Sequence, residues 1–168
     1  MSVLIIAGLD SSTGAGIARD LAVLADHGIA ARVAATAVTA QDSAGLCHVH
    51  AVPPDMVVAQ IRAAGPMAVA KLGMLVNAGI VAAIADALLE LPFVLDPVLA
   101  TSAGAVLLDA AGRAAMIARL FPRGGACDAE PARSHHPDGL CARSVADCVG
   151  QRLFCHGRAG NTAERRSC

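Results

Sequence analysis

Four residues that could do chemistry follow predicted strands, each at the point where its strand ends. Asp10 follows the first apolar run, Gln41 the second, Met74 the third and Asp96 the fourth. The amide of Gln41 could pair with the edge of a heterocycle, and the carboxylate of Asp96 could hold Mg²⁺ or orient phosphates. A loop glutamine and a capping aspartate are the structural alternatives for these two. Four such strand ends together favour a binding site more than any one of them would.

Two charged residues could belong to the same site. Lys71 is the only lysine of the chain and lies inside an apolar run. A buried ammonium needs a partner, so Lys71 belongs either to a site or to a structural ion pair. Asp20 comes one turn into the first predicted helix. Taken alone it is best interpreted as a solvated residue that favours the helix N-terminus, and the alternative is a carboxylate directed at a polar substituent of a ring.

Gly14, Ala15 and Gly16 form a glycine-rich turn after the first strand. Such a turn could approach a phosphate, but Arg19 occupies the position where a dinucleotide fingerprint has its third glycine, and no Gly-Lys-Ser/Thr follows. A tight turn into a helix is the favoured interpretation, and half of a dinucleotide-binding oxidoreductase is an open but weaker alternative.

Strands and helices are predicted to alternate along the first part of the chain. This alternation predicts an α/β fold, in which a parallel sheet has helices on its faces and ligands bind beyond the carboxyl ends of the strands. The predicted strands are 2–7, 31–40, 68–72 and 93–95, and the predicted helices are 17–27, 53–64, 77–89 and 107–120. Asn77 is expected to cap the third helix, and 42–45 is predicted to be a loop.

Composition excludes several classes of function. The chain has 168 residues, 55% hydrophobic and 16% charged, with a formal net charge of −1, which predicts one domain with a full core. A net charge this close to zero argues against binding to nucleic acid or to an anionic membrane. Aromatic residues make up only 2% of the chain, which leaves no platform for stacking bases. No apolar stretch is long enough to span a bilayer, and the N-terminus lacks a basic region typical of a signal peptide. A cytoplasmic protein is expected.

The chain changes character near Gly124. Five of the six cysteines and six of the twelve arginines lie in 124–168, which has almost no apolar run. A disulfide framework is improbable in a cytosolic chain. A zinc site involving Cys148, Cys155 and His156 is possible in principle, but no C-x-x-C pair supports it. The third interpretation is that this segment is an out-of-frame product.

Several segments, in order and at matching spacing, resemble the hydroxymethylpyrimidine/phosphomethylpyrimidine kinases of thiamine biosynthesis. The resemblance covers residues 3–123. The segments are AGLDSSTGAGIARD (7–20), TAVTAQDSAGL (36–46), VPPDMVVAQI (52–61), AKLGML (70–75) and VLDPVLATSAGAVLL (94–108).

The resemblance implies a ribokinase-like α/β fold and the use of ATP and Mg²⁺ to phosphorylate 4-amino-5-hydroxymethyl-2-methylpyrimidine and then its monophosphate. Gln41 would read the ring edge, Met74 and Val98 would supply apolar walls, and Asp96 would lie near the Mg²⁺ and the phosphates. The implied substrate-binding residues are Gly8, Asp20, Gln41, Met74 and Val98. A homodimer is also implied. Pyridoxal kinases share the fold and are the nearest alternative, although the AQD context of Gln41 favours the pyrimidine.

The second half of the implied fold has no counterpart here. The TPN-x-x-EA motif, the Lys-Gly-Gly strand and the Gly-Thr-Gly loop that supplies the anion hole and the catalytic base are not found, so no catalytic residue is assigned. Codons can be chosen for 127–135 such that a shift of one base reads V-T-P-N-L-P-E-A. We therefore expect a substrate-binding part in 1–123 and an out-of-frame or disordered tail in 124–168. The activity expected of such a truncated kinase is low, and a non-catalytic pyrimidine-binding remnant is the alternative.

Overall fold

A computed structural model describes residues 2–42, 45–101, 103–123 and 125–126. They form one six-stranded sheet and four helices. The strands are β1 (Ser2–Asp10), β2 (Ala30–Asp42), β3 (Gly45–Ala51), β4 (Val69–Leu72), β5 (Phe93–Leu95) and β6 (Gly125–Ala126), and the helices are α1 (Gly16–Asp26), α2 (Pro54–Ala63), α3 (Ala78–Ala87) and α4 (Ala110–Arg119).

The sheet has the strand order β3-β2-β1-β4-β5-β6. Neighbouring strands from β2 to β6 pair in parallel, and the register places Ile5 beside Lys71 and Lys71 beside Val94. This architecture confirms the predicted α/β class. Because β1, β2, β4 and β5 run in the same direction, their carboxyl ends lie along one side of the sheet, which we call its carboxyl edge.

Strand β3 differs from the sequence prediction, which left this segment unassigned after a loop at 42–45. It pairs antiparallel with β2 and forms the sheet edge, and its side chains are mostly half-buried or exposed. The prediction failed because an edge strand obtains its stability from backbone hydrogen bonds, and its polar side chains, His48 and His50 among them, carry no apolar signal.

Apolar side chains alternate between the two faces of the sheet. Leu4 and Ile6 belong to the core shared with α2, α3 and α4, whereas Val3, Ile5 and Ala7 pack against α1. Within the described ranges, three helices therefore cover one face and a single helix covers the other. The same alternation assigns Lys71 to the α1 face, since Ala70 and Leu72 belong to the opposite core.

Caps determine where two of the helices begin. The side chain of Asn77 accepts a hydrogen bond of 3.0 Å from the backbone N–H of Ile80, as the sequence predicted. Helix α4 begins at Ala110, not at Leu107, because Asp109 is its N-cap and accepts from Gly112 N. The two preceding leucines instead donate backbone hydrogen bonds to Leu99 O.

The last described residues, Gly125–Ala126, pair with β5. They lie just beyond the boundary predicted after residue 123. The disulfide and zinc interpretations concern residues outside the described ranges, and so does the out-of-frame interpretation for all of 124–168 except Gly125–Ala126. The four helices in the described part of the chain have only 10 or 11 residues each, too few to span a bilayer.

Candidate active site

A cavity of about 320 Å³ opens at the carboxyl edge of the sheet. It is lined by all six residues that the sequence analysis assigned to substrate or metal: Gly8, Asp20, Gln41, Met74, Asp96 and Val98. These residues come from four strand ends and one helix. The fold therefore places side chains that are up to ninety positions apart in the chain around one space.

Asp20, Lys71 and Asp96 form a chain of charges on the α1 face. Asp20 is buried between Ile17 and Leu24 on the buried side of α1, so it is not the solvated residue that its position alone favoured. The ammonium of Lys71, 5% exposed, lies 2.7 Å from Asp20 Oδ2 and 3.5 Å from Asp96 Oδ2. The sequence predicted that Lys71 would need a partner, and the structure supplies two.

The pKa of Asp96 lies above that of a free aspartate. Burial raises the pKa of Asp96, and the ammonium of Lys71 opposes this shift, while the Asp20 carboxylate adds to it. Its side chain retains 20% exposure. Asp96 is thus a partly accessible carboxyl group at the cavity wall, and its side chain makes no capping hydrogen bond to the residues that the structure describes.

The glycine-rich turn is organised by Asp10. Its carboxylate accepts from the backbone N–H and the hydroxyl of Ser12 at 2.9 Å and from the N–H of Ala15 at 3.0 Å. Because these donors are bound by the protein, the turn is a folded wall of the cavity and not an open phosphate loop. Sequence reasoning noted Asp10 at a strand end but missed this role.

Two glycines allow the wall to close around Met74. A Cβ at Gly8 would lie 2.9 Å from Met74 Sδ, so the missing side chain makes room for the thioether. Gly16 has φ +58°, and a Cβ there would collide with the backbone oxygen of Gly8. The start of α1 can therefore approach β1 only with glycine at position 16.

Thr36 fixes the backbone next to Met74. The register between β1 and β2 slips by one residue at Ala7/Gly8, which leaves Thr36 without a partner in β1. Its buried hydroxyl donates to the carbonyl of Met74 at 2.6 Å. Sequence reasoning missed this contact, although Thr36 opens one of the matching segments.

Gln41 is held by its backbone and not by its side chain. Its N–H donates to Ser11 Oγ at 2.9 Å, and the Ser11 hydroxyl lies 3.2 Å from its carbonyl oxygen. A second register slip, between Ala40 and Gln41, leaves Cys47 of β3 without a pairing partner in β2. Its side-chain amide has no hydrogen bond with any residue that the structure describes, so it can pair with a ligand in the cavity that Gln41 lines.

A second cavity, of about 520 Å³, opens at the opposite end of the sheet between the ends of α2 and α3. Leu4, Met67 and Leu91 are among its lining residues, and none of the predicted site residues contributes. The described part of the chain contains no group of three His, Cys, Asp or Glu side chains that could hold a metal ion.

Comparison with known proteins identifies the family. A model of the phosphomethylpyrimidine kinase family matches residues 10–126. The hydroxymethylpyrimidine/phosphomethylpyrimidine kinase of Haemophilus influenzae is 41% identical over 126 residues, which are 71% of this chain and 47% of that protein. The chain thus spans about half the length of the curated relatives it matches.

Solved structures give the same result. The crystal structure of phosphomethylpyrimidine kinase from Clostridium difficile superposes with a TM-score of 0.68 at 32% identity, over 74% of this chain and 56% of that one. The pyridoxal kinase of Staphylococcus aureus in complex with pyridoxal superposes with a TM-score of 0.64 at 28% identity, over 73% of this chain and 46% of that one, and the same kinase is also known in complex with ADP. With the fold, the cavity and the family match in agreement, the chain belongs to the phosphomethylpyrimidine kinase family.

Proposed function

We propose that this chain binds 4-amino-5-hydroxymethyl-2-methylpyrimidine and its monophosphate as the substrate-binding part of a hydroxymethylpyrimidine/phosphomethylpyrimidine kinase. The observation that carries the proposal is the convergence of Gly8, Asp20, Gln41, Met74, Asp96 and Val98 on one cavity. That cavity combines an apolar wall with a small number of polar groups, which is the usual composition of a small-molecule site.

Each lining residue suits one part of a substituted pyrimidine. The free amide of Gln41 can donate to and accept from the ring edge, and the side chains of Met74 and Val98 can pack on the ring faces. The carboxylate of Asp20 can accept a hydrogen bond from an amino or hydroxymethyl substituent. The missing side chain of Gly8 leaves room for the Met74 thioether beside the proposed position of the ring.

ATP and Mg²⁺ belong to the proposal as the phosphoryl donor and its metal. The kinase relatives and the ADP complex of the Staphylococcus aureus pyridoxal kinase support nucleotide use. Mg²⁺ is commonly bound by one or two carboxylates together with substrate phosphates, so Asp96 alone fits a metal that arrives with the nucleotide. The Mg²⁺ would neutralise charge on the transferring phosphoryl group.

We expect binding to exceed catalysis in this chain. Phosphoryl transfer depends on positioning and on charge stabilisation, and the sequence contains no counterpart of the anion-hole loop that the resemblance implies. Pyrimidine binding is therefore the part of the kinase function that we assign to the described residues. Self-association as a homodimer remains a prediction that sedimentation can test.

A pyridoxal kinase-like function is the second candidate, favoured by the superposition on the Staphylococcus aureus enzyme. The two substrates differ at the ring edge that Gln41 would contact. A direct comparison of pyridoxal with the pyrimidine therefore separates the two functions.

Isothermal titration calorimetry with the aminopyrimidine alcohol tests the proposal. We expect saturable binding, a loss of about ten-fold in affinity for Gln41→Ala, and weaker binding of pyridoxal. Val38→Ala is the matched control, because Val38 lies exposed on the same strand and does not line the cavity. Equal binding by Gln41→Ala and the unaltered chain would contradict the site assignment, and a separate assay with ATP and Mg²⁺ would measure any turnover.

A further inference from the structure

Lys71 lines the cavity itself but has no role in the ligand contacts proposed above, and its buried ammonium joins two other lining residues, Asp20 and Asp96. We propose that Lys71 is a positioning residue, which holds the Asp20 carboxylate so that one oxygen is bound by the protein and the other is presented to the ligand. This inference rests on the proposed pyrimidine site and adds a residue to it.

The hydrogen bonds of Asp20 are divided unequally between its two oxygens. Oδ2 accepts from Lys71 Nζ at 2.7 Å, which is the short distance of a charge-assisted bond. Oδ1 has no hydrogen bond from any residue that the structure describes. Every fully buried side-chain oxygen or nitrogen among those residues has a hydrogen-bond partner. Oδ1 has none, so it is not fully buried, and we place it at the wall of the cavity that Asp20 lines.

The surrounding structure leaves space for an ammonium at this point. A Cβ at Gly73 would lie 3.2 Å from Lys71 Nζ and 3.1 Å from the Cβ of Ala7, so a larger residue would crowd the lysine head. Asp96 Oδ2, at 3.5 Å, holds the ammonium from the other side. Lys71 therefore has little freedom to move, and Asp20 shares that restriction.

The charges of this group indicate which part of a ligand it would bind. Lys71 occupies Asp20 Oδ2, so Asp20 Oδ1 is the acceptor that this group presents to the cavity. A fixed carboxylate oxygen selects a ligand that offers an N–H or O–H donor. The exocyclic amine and the hydroxymethyl group of the proposed pyrimidine both meet this requirement, whereas a ring with only acceptors on that edge does not.

A double-mutant cycle on pyrimidine binding distinguishes positioning from a purely structural ion pair. Lys71→Met keeps an unbranched apolar stem and removes the ammonium, and we expect it to weaken binding about ten-fold. Asp20→Asn should also weaken binding. If Lys71 acts through Asp20, then adding Lys71→Met to Asp20→Asn should change affinity less than about two-fold. Multiplying effects, or unchanged binding by Lys71→Met, would overturn the proposal.

Two further variants separate positioning from stability. Val69→Ala removes apolar volume from the same face of β4, and we expect it to lower the melting temperature while affinity stays within about two-fold. Lys71→Gln retains an N–H donor and should lose less affinity than Lys71→Met. If Lys71→Met does not fold, the comparison of Lys71→Gln with Val69→Ala decides: similar affinities for these two would refute the role of Lys71.

Crystallography tests the role of Lys71 independently of pyrimidine binding, because it measures the orientation of Asp20 without a ligand. Crystal structures of the unliganded protein and its Lys71→Met variant should show a different orientation of the Asp20 carboxylate. An unchanged orientation would overturn the positioning role. Absence of pyrimidine binding by the unaltered chain would refute the proposed function, and the orientation of Asp20 would then be the deciding result for Lys71.

Discussion

Glycine at position 8 determines how closely Met74 can approach β1. The sulfur of Met74 occupies the space next to Gly8 Cα, and Thr36 binds the Met74 carbonyl from the other side. The thioether is flexible and polarisable, so it can adapt to a ring, but only within the volume that the glycine leaves. Small residues at this cavity wall therefore determine its shape as much as the polar residues determine its chemistry.

Replacing this glycine tests that argument. Gly8→Ala would bring a methyl group to 2.9 Å from Met74 Sδ, so the thioether must move into the cavity. We expect a stability loss of about 1 kcal/mol and weaker binding of the pyrimidine in calorimetry. Gly79→Ala is the matched control, because Gly79 lies in α3 outside the cavity and a Cβ there meets its neighbours at 3.4 Å. Unchanged binding by Gly8→Ala would contradict this account of the wall.

The raised pKa of Asp96 predicts a pH dependence of folding. The folded chain keeps the Asp96 proton to higher pH than the unfolded chain does. The free energy of unfolding should therefore fall as the pH rises from about 4, near the ordinary pKa of aspartate, through the raised value. In Asp96→Asn this part of the slope should vanish. Chemical denaturation of both proteins across this pH range measures the difference, and parallel curves would show that burial of Asp96 does not have this effect.

Among the elements, the segment between β4 and α3 carries the closest link between fold and site. Met74 and the N-cap Asn77 lie in it, and Val76 between them has φ 67°, an unfavourable conformation for a β-branched residue. The carbonyl of Val76 accepts from Asp109 N, the N-cap residue of α4. The start of α3, the start of α4 and the wall of the cavity are thus fixed by one short stretch of chain.

Loss of the α3 cap should therefore be measurable in stability. Asn77→Ala removes the acceptor of the Ile80 N–H bond, and we expect it to destabilise the protein by about 1 kcal/mol in thermal or urea unfolding. Asn77→Asp retains an acceptor and adds a negative charge at a helix N-terminus, so it should be close to neutral or slightly stabilising. Equal losses for the two variants would exclude capping as the cause.

At the scale of the molecule, the described residues that line the cavity all precede the end of the family match. The lining residues extend from Ala7 to Leu107, and the family match ends at residue 126. The described residues of the two apolar cores likewise lie within residues 3–121. The described part of the chain therefore contains both a core and a candidate site.

Shortening the chain tests whether this part is sufficient. A chain of residues 1–126 should bind the pyrimidine within about two-fold of the full chain's affinity and should unfold in one cooperative transition. Calorimetry and far-UV circular dichroism measure the two properties. A shortened chain that does not fold would show that residues 127–168 contribute to the structure. The out-of-frame origin of the tail stays a separate prediction, which the coding DNA around codon 124 decides.

The amino-acid sequence by itself determined the alternation of strands and helices, the cap at Asn77 and the strand ends at which Gln41, Met74 and Asp96 lie. These features depend on periodicity and on neighbours a few residues apart, so they can be predicted from the sequence alone. The need of Lys71 for a partner was also predictable, because burial of an ammonium is costly wherever it occurs.

Only the tertiary structure decided which residues meet. The bond between Asp20 and Lys71 joins positions 51 residues apart, and its length depends on the register of β1 against β4 and on the packing of α1. The same holds for the hydroxyl of Thr36 on Met74, for strand β3 at the exposed edge and for the free oxygen of Asp20. Distances of this kind depend on how separate elements pack together, so they cannot be predicted from local sequence patterns.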